Sequence, residues 1–339
     1  MTSIAVLGAG AWGTAIAVAL APRHRVGLWA RDADQAREIA AARRNARYLP
    51  EIALPGSVAV TADFGAASRG AGLLLAATPV AGLRDLCGRV AALRTEAKSG
   101  ASSHPGTPLV WLCKGFEEKT GLLPHQIVAA ALGEDYPCGA LSGPSFAQEV
   151  ACGLPCALTL ASRDAALART LATLLHGGRL RIYHSADLIG VEIGGAVKNV
   201  MAIAVGISDG LGLGQNARAA LITRGLAEMA RLGLALGAST ETLMGLAGAG
   251  DLILTATGDL SRNRRVGLEL ARGRTLAEIV AGLGHVAEGV RSAQEVAKLA
   301  ARHAIDMPVS EAVNAVLAGR LTAPEAVERL LAREAKGEG

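Results

Sequence analysis

Aromatic side chains are scarce in this 339-residue chain: three Trp, three Tyr and three Phe make up only 3% of it. The last aromatic residue is Tyr183, and from His184 onward there is no aromatic residue and no cysteine. The later part nevertheless stays rich in Ala, Leu and Gly. This change in composition predicts two domains with different packing, 1–184 and 185–339, and the length agrees with about two domains.

Paired cysteines and clustered metal ligands are also lacking. An odd number of cysteines without C-x-x-C or zinc spacing argues against a disulfide framework and indicates a cytoplasmic protein. The seven histidines show no H-E-x-x-H or paired spacing, so we expect no metal site. The cysteines are Cys87, Cys113, Cys138, Cys152 and Cys156.

The chain has no strong net charge of either sign. The chain has 34 basic and 30 acidic residues, a formal net charge of +4, and 51% hydrophobic residues. This balance predicts a soluble globular protein with no nucleic-acid partner. The only tight basic clusters are Arg43-Arg44 and the run at 262–265. A solvated helix end is an alternative for each, and we prefer it for Arg43-Arg44.

A glycine-rich turn stands near the start of the chain. Ile4–Leu7 is an apolar run of strand length, Gly8, Gly10 and Gly13 form G-x-G-x-x-G, and small residues continue as a helix. In that context Gly8 allows a tight turn, Gly10 admits a pyrophosphate, and Gly13 permits close helix packing. The free N–H groups of the helix N-terminus favour a phosphate. The pattern predicts dinucleotide binding.

A signal peptide or a short membrane span is the competing interpretation of this apolar stretch. No Lys or Arg precedes it, and glycines interrupt it at the fingerprint spacing. A second apolar run, Val26–Ala30, leads into Arg31 and Asp32 at roughly the 20-residue offset of the group that contacts the adenosine ribose. We therefore favour the nucleotide site and expect no membrane insertion.

Strand and helix patterns alternate through Tyr183, which predicts a Rossmann-type, doubly wound, mainly parallel sheet. A loop is expected at Lys98–Pro108. From Asp187 the period becomes helical, which predicts an all-α second domain with helices near 188–207, 217–236, 240–247, 275–282, 292–303, 309–318 and 323–335. Three S/T-x-x-E patterns, beginning at Thr275, Ser292 and Thr322, predict capping boxes that open helices.

Polar residues that are suited to binding or catalysis follow two predicted strands. Lys114 ends a buried-looking strand, where ligands of open α/β sheets gather, although an ordinary surface lysine is equally plausible. Ser142–Ala147 reads SGPSFA; Gly143 and Pro144 define a turn, and Ser145 supplies a hydroxyl. A plain tight turn explains this almost as well, and no Ser-His-Asp pattern accompanies it.

A lysine also lies within a long apolar helix in the second domain. Lys198 and Asn199 are surrounded by small residues, and lysine is rarely buried unless it is paired. A buried lysine can act as general acid or base, whereas a lysine that reaches the helix surface is the plainer alternative. Asp251 follows a glycine-rich turn and is a candidate partner for Lys198.

Ser261, Arg262 and Asn263 place a guanidinium beside an amide, which suits a phosphate dianion. A helix cap is the alternative for Asp251, and a surface charge is the alternative for Arg262.

Together these motifs resemble the NAD(P)-dependent glycerol-3-phosphate dehydrogenase family of bacterial type, over essentially the whole chain. The motifs that carry the resemblance are GAGAWGTA (8–15), LWARD (28–32), YLP (48–50), KG (114–115), SGPSFA (142–147), GGAVKN (194–199), NARAALITRG (216–225), GDL (250–252), SRNRR (261–265) and VAEG (286–289). The family commonly has Ser where this chain has Ala11, which removes one side-chain contact near the pyrophosphate.

The resemblance implies the site residues and their roles. Lys198 is the expected proton donor and acceptor, with Asp251 and Lys114 assisting it. Expected substrate contacts are Lys114, Gly143, Ser145, Lys198, Asp251, Thr255, Ser261, Arg262 and Asn263. Expected cofactor contacts are Gly8, Gly10, Ala11, Trp12, Gly13, Arg31, Tyr48, Lys114, Ala147, Arg262, Val286 and Glu288.

The implied reaction interconverts dihydroxyacetone phosphate and sn-glycerol 3-phosphate with NAD or NADP, and it supplies glycerol 3-phosphate for phospholipid synthesis. Arg31 suits the 2′-phosphate of NADP and Asp32 suits the ribose of NAD, with a slight preference for NADPH. We expect a phosphorylated small-molecule substrate and a homodimer. The alternatives are another two-domain reductase, such as a ketopantoate reductase or a 3-hydroxyacid dehydrogenase, and a non-enzymatic nucleotide sensor.

Overall fold

The computed structural model describes residues 1–98, 106–283 and 287–332, and the chain divides into two compact units, Met1–Leu188 and Ile189–Gly339. The division falls shortly after the boundary at 184 that composition predicts, because the last strand of the first unit continues to Ser185. Apart from its ends, the predicted loop at Lys98–Pro108 lies outside the described residues.

The first unit is built on a sheet of eight strands in the order β10-β9-β8-β7-β6-β1-β2-β5, with a separate hairpin of β3 and β4. Neighbouring strands are parallel except β8 and β9, which confirms the mainly parallel sheet. The strands are β1 Ser3–Leu7, β2 Arg25–Trp29, β3 Arg44–Asn45, β4 Leu49–Ala53, β5 Val58–Thr61, β6 Leu73–Ala76, β7 Leu109–Trp111, β8 Cys138–Ser142, β9 Cys156–Ala161 and β10 Leu180–Ser185.

Helices connect these strands, and several begin at an aspartate. Asp32, Asp63 and Asp164 are N-cap residues: Asp32 and Asp164 each accept two backbone N–H groups from the first turn of the next helix, and Asp63 accepts one. The helices of the first unit are α1 Ala11–Leu20, α2 Ala33–Ala42, α3 Phe64–Ser68, α4 Val80–Lys98, α5 Pro124–Leu132, α6 Ala147–Ala151 and α7 Ala165–Leu175.

Strand β1 lies between β2 and β6, where the strand order changes direction. Ile4–Leu7 of this strand are fully buried, as expected for a parallel strand covered on both faces. Ligands of open α/β sheets bind beyond the carboxyl ends of the strands at such a switch point. The glycine turn that follows β1 therefore lies where the fold favours a nucleotide.

All regular secondary structure in the described residues of the second unit is helical, as predicted. A single π-helical turn, Leu246–Gly250, separates its third and fourth helices. The helices are α8 Leu188–Gly210, α9 Gly214–Ala235, α10 Thr240–Met244, α11 Asp251–Thr257, α12 Arg262–Ala271, α13 Leu276–Leu283, α14 Glu288–Arg302, α15 Pro308–Leu317 and α16 Ala323–Leu331.

Helix α8 is long and apolar enough to cross a membrane by length and composition, but 94% of its most apolar window is buried inside the protein. That burial is the pattern of a core helix. Small residues allow neighbouring helices to lie close to it: a Cβ on Gly206 would lie 2.1 Å from the Arg264 carbonyl oxygen.

The second unit corrects two sequence expectations. Ser292 does not open a helix, since it is buried inside α14, which begins at Glu288; the boxes at Thr275 and Thr322 are present. The predicted helix at 240–247 ends at Met244, and the helices at 251–257 and 262–271 were not anticipated.

Candidate active site

The glycine turn after β1 is held by close backbone contacts. Gly8 has a positive φ of 135°, its N–H donates to the Trp29 carbonyl at 3.0 Å, and a Cβ there would lie 2.7 Å from the Ala77 oxygen. A Cβ on Gly13 would lie 1.9 Å from the Gly8 oxygen. Around Gly10 nothing lies within 4 Å of the corresponding position. Gly8 and Gly13 are therefore required by packing, whereas Gly10 leaves open space beside the N-terminus of α1.

Two side-chain amides fix the carbonyl oxygen of Ala9 inside this turn. Gln35 Nε2 donates to it at 2.9 Å and Asn45 Nδ2 at 3.0 Å. Asn45 is buried and also donates to Thr14 Oγ1 at 2.7 Å. The β3–β4 hairpin is thus tied to the glycine turn, a role for Asn45 and Gln35 that sequence reasoning missed.

The residues expected at the adenosine end of the cofactor lie after β2 and on the hairpin. Arg31 is exposed, while Asp32 Oδ1 accepts the N–H groups of Asp34 and Gln35 and so caps α2. Tyr48 is half-buried, with the Arg47 guanidinium 5.3 Å from its ring centroid. Ala11 and Trp12 are the first two residues of α1, and both are half-buried.

A second cluster of the first unit follows β7 and β8. Lys114 Nζ donates to the carbonyl oxygen of Gly143 at 3.1 Å, and Ser145 Oγ donates to the same oxygen at 3.0 Å. Gly143 has a positive φ of 136°, which favours glycine at this turn. Ala147 is the first residue of α6. The carboxyl ends of two neighbouring strands thus bring together the predicted residues Lys114, Gly143 and Ser145.

The buried lysine of the second unit is paired. The Lys198 side chain is 9% exposed, and its Nζ lies 2.6 Å from Oδ1 of Asp251, whose side chain is 1% exposed. Lys198 Nζ also donates to Thr255 Oγ1 at 2.8 Å. The alternative of a lysine that reaches the helix surface is therefore wrong. The arrangement can move a proton, because an amine is held beside a carboxylate and a hydroxyl.

Two glycines explain how Asp251 reaches this position. A Cβ on Gly248 would lie 1.9 Å from the Leu243 oxygen, and a Cβ on Gly194 would lie 2.5 Å from the Ala247 oxygen. The π-helical turn can therefore lie directly against α8. Asp251 begins α11 at the end of that turn, one helical turn before Thr255.

Helix α12 begins with Arg262 and Asn263, and Ser261 is its N-cap. Ser261 Oγ accepts the N–H of Arg264 and caps the helix, and Arg262 is exposed. Asn263 is buried, and both ends of its carboxamide are engaged: Nδ2 donates to Asn199 Oδ1 at 2.8 Å, and Oδ1 accepts the Gly289 N–H at 3.0 Å. Asn263 therefore has fewer hydrogen-bonding groups available for a phosphate than the sequence suggests.

Asn199 extends this network to a predicted cofactor residue. Its Nδ2 donates to Glu288 Oε2 at 3.5 Å, at the N-terminus of α14. The sequence pattern indicates no role for Asn199 beyond its place next to Lys198. Val286, another predicted cofactor residue, lies outside the described residues.

The predicted residues thus form separate groups within each unit. The first unit holds the glycine turn and the Lys114–Gly143–Ser145 cluster, and the second holds the Lys198–Asp251–Thr255 and Ser261–Asn263 groups. Among the described residues, no group of three or more His, Cys, Asp or Glu side chains is placed to hold a metal ion.

Comparison with known proteins connects these groups to one family. Residues 3–168 match the family model described as the NAD-dependent glycerol-3-phosphate dehydrogenase N-terminus, and residues 187–328 match the model of its C-terminus. A glycerol-3-phosphate dehydrogenase (NAD(P)+) of Dechloromonas aromatica is 58% identical over 335 residues, and one of Aromatoleum aromaticum is 60% identical over 336; each alignment covers 99% of both chains.

Solved structures agree with this assignment. The crystal structure of glycerol-3-phosphate dehydrogenase from Coxiella burnetii has a TM-score of 0.89 and 43% identity, and the match covers 98% of this chain and 99% of that one. The chain therefore belongs to the NAD-dependent glycerol-3-phosphate dehydrogenase family.

Proposed function

We propose that this chain interconverts dihydroxyacetone phosphate and sn-glycerol 3-phosphate with NAD(P)H or NAD(P)+, and that residues of both units serve this one reaction. The observation that carries the proposal is the buried Lys198, whose Nζ lies 2.6 Å from Asp251 in a chain of this family. A lysine held in this way suits proton transfer to a ketone oxygen.

The glycine turn suits the dinucleotide. Gly10 leaves open space beside the N-terminus of α1, where N–H groups and the helix dipole favour a pyrophosphate. Its proposed partners are Gly8, Gly10, Ala11, Trp12, Gly13, Arg31, Tyr48, Lys114, Ala147, Arg262, Val286 and Glu288. When bound, the nicotinamide supplies or accepts the hydride.

Lys198 is the proposed acid and base of the reaction. In the reducing direction its Nζ donates a proton to the ketone oxygen as the carbonyl carbon gains a hydride, and the oxidation runs in reverse. Asp251 and Thr255 hold Nζ in place by accepting its hydrogen bonds. Lys114 is proposed to polarise the same oxygen, and Gly143 and Ser145, which contact each other beside it, to line the substrate site.

Arg262 is the proposed anchor of the substrate phosphate, with Ser261 and Asn263 beside it. A guanidinium suits a phosphate dianion because it offers paired N–H donors. Binding energy from this remote group orients the reacting carbon.

Asp32 supports a slight preference for NADPH. In an NAD site the carboxylate after the second strand accepts the ribose hydroxyls. Here Oδ1 of Asp32 already caps α2, while the neighbouring Arg31 is exposed and suits a 2′-phosphate. Comparison of kcat/KM for NADPH and NADH, in the natural protein and in Arg31→Ala, tests this preference. We expect Arg31→Ala to lower the NADPH value selectively, and an equal loss with both cofactors would contradict it.

We further propose a cytoplasmic homodimer that supplies glycerol 3-phosphate for phospholipid synthesis. The Ala- and Leu-rich helical unit supports the dimer, and the odd number of cysteines without C-x-x-C spacing supports the cytoplasmic location. Light scattering of the purified protein tests the dimer, and a monomeric mass would contradict it.

The decisive experiment follows NADPH and NADH oxidation with dihydroxyacetone phosphate, beside unphosphorylated dihydroxyacetone. We expect rapid oxidation with the phosphorylated ketone and far slower oxidation without the phosphate. Binding of nucleotide with no turnover of either ketone would overturn the proposal and favour the nucleotide sensor. Turnover of a keto acid such as ketopantoate, with no turnover of dihydroxyacetone phosphate, would favour another two-domain reductase.

A further inference from the structure

The three arginines at the start of α12 differ in their surroundings. Arg262 and Arg265 are exposed, whereas the Arg264 side chain is only 13% exposed. The Arg264 guanidinium contacts two carboxylates: Nε and Nη2 each lie 2.8 Å from Asp209 Oδ2, and Nη1 lies 3.0 Å from Asp259 Oδ1. All three guanidinium nitrogens therefore have carboxylate partners.

Asp209 connects three helices through this contact. It lies in the last turn of α8 and its side chain is 6% exposed. Its second oxygen, Oδ1, accepts from Arg218 Nε of α9 at 2.8 Å. A buried carboxylate is stable only when it is well paired, and two guanidiniums provide that pairing here. Asp209 thereby fixes the beginning of α12 against α8 and α9.

Arg264 also braces the turn that presents the proposed phosphate anchor. Its backbone N–H donates to Ser261 Oγ at 3.2 Å, and its side chain reaches back to Asp259, so one residue holds both ends of the turn before α12. Arg262 lies in the chain between Ser261 and Arg264, next to the residues that these contacts hold. The helix cannot shift freely to compensate, since a Cβ on Gly267 would lie 2.2 Å from the Ile203 oxygen of α8.

We infer that Arg264 is a positioning residue for the phosphate site: held by Asp209 and Asp259, it fixes the turn from which Arg262 reaches the substrate phosphate. The inference rests on the proposed function, since it acts through Arg262. It gives Arg264 a role distinct from that of Arg262, which lies two positions earlier in the same helix. It also predicts a loss that appears only when the substrate carries a phosphate.

Arg264→Lys tests this role because lysine keeps the charge but cannot bridge two carboxylates with a planar fork. Since a small misplacement of a binding group can cost up to about 100-fold, we expect KM for dihydroxyacetone phosphate to rise at least roughly tenfold. The kcat/KM for unphosphorylated dihydroxyacetone at saturating NADPH should stay within about twofold, because this ketone carries no phosphate for Arg262 to hold.

The matched control is Arg272→Lys at the other end of the same helix, where Arg272 forms an exposed ion pair with Glu269. We expect it to leave both substrates unaffected. If Arg264→Lys does not fold, Asp259→Ala provides a milder test. It removes only the ion pair between Arg264 and Asp259, whose side chain is 95% exposed. It should raise KM for the phosphorylated ketone by a smaller factor, with no effect on dihydroxyacetone.

Equal losses with both ketones in Arg264→Lys or Asp259→Ala, or no change in either variant, would overturn the inference. Failure of the natural protein to oxidise NADPH with dihydroxyacetone phosphate would instead overturn the proposed function. The two failures are therefore distinguishable in one set of assays.

Discussion

Lys198 Nζ and Asp251 Oδ1 lie 2.6 Å apart although the two residues are 53 positions apart in the chain. Both side chains are buried, and Thr255 Oγ1 contacts the same ammonium at 2.8 Å. A buried ion pair contributes little net stability, but removing one partner leaves an uncompensated charge. The pair therefore connects the fold of the second unit with its proposed chemistry.

Asp251→Asn should lower stability and turnover together. Loss of one partner from a buried pair costs about 3 to 5 kcal/mol, whereas replacing both by apolar residues is often neutral. We therefore expect the double variant Lys198→Met with Asp251→Leu to recover much of the melting temperature lost in Asp251→Asn while remaining inactive. Differential scanning calorimetry measures this, and a double variant less stable than the single one would contradict the account.

Arg262→Ala should mainly raise KM for dihydroxyacetone phosphate. A hydrogen bond to a charged group is worth about 1.5 to 3 kcal/mol, so the expected rise is about 10- to 100-fold. Arg265→Ala, an exposed neighbour on the same helix, is the control. Steady-state kinetics would refute the anchoring role of Arg262 if its KM stayed unchanged.

Much of the fold is predictable from the sequence because its signals are local. The spacing of Gly8, Gly10 and Gly13 after an apolar strand indicates the turn that follows β1, and the alternation of strand and helix patterns indicates the mainly parallel sheet. The separate clusters around Lys114 and Lys198 also contain the residues that the motifs suggested.

The remaining features depend on contacts between distant residues. The π-helical turn before Asp251 exists because Gly248 and Gly194 permit close backbone packing, which no local pattern reveals. Helix α12 begins with a polar run and lacks an acidic residue at the third position, so it shows no capping box. Ser292 has that pattern but lies inside α14, where Glu295 pairs with Lys298 instead. The engagement of Asn263 with Asn199 is likewise tertiary.

Gly13→Ala should affect stability, whereas Gly10→Ala should affect cofactor binding. A Cβ at Gly13 would lie 1.9 Å from a backbone oxygen, and overpacking costs about 1 to 3 kcal/mol or more, so we expect a lower melting temperature. At Gly10 the space is open, so the fold should tolerate alanine. Because the pyrophosphate needs that space, the Kd for NADPH should rise by at least roughly tenfold. Thermal melts and fluorescence titration distinguish the two, and normal NADPH affinity in Gly10→Ala would argue against the pyrophosphate position.

Glu228 should make stability depend on pH. This buried carboxylate of α9 accepts the N–H groups of Val309 and Ser310 and caps α15, and its burial raises its pKa above the usual 4.5. Between the unfolded and the folded pKa, folding takes up a proton, so the free energy of unfolding contributed by Glu228 falls as pH rises through this interval.

Glu228→Gln removes this ionisation. We therefore expect the stability of the natural protein relative to Glu228→Gln to decrease as the pH rises above 4.5. Melting temperatures of both proteins across the pH range measure the difference. The same change at exposed Glu311 of α15 is the control, and a difference that does not vary with pH would contradict the raised pKa.

Lys198→Met tests the central claim most directly. Methionine fills a similar volume but has no ionisable proton. Loss of an acid–base group lowers the rate by at least about 100-fold. The control is Lys298→Met, a lysine in a half-exposed ion pair with Glu295. In the assay of NADPH oxidation by dihydroxyacetone phosphate, we expect Lys198→Met to lose at least about 100-fold in kcat with unchanged Kd for NADPH. A near-normal kcat would contradict the assignment of Lys198 as the proton donor.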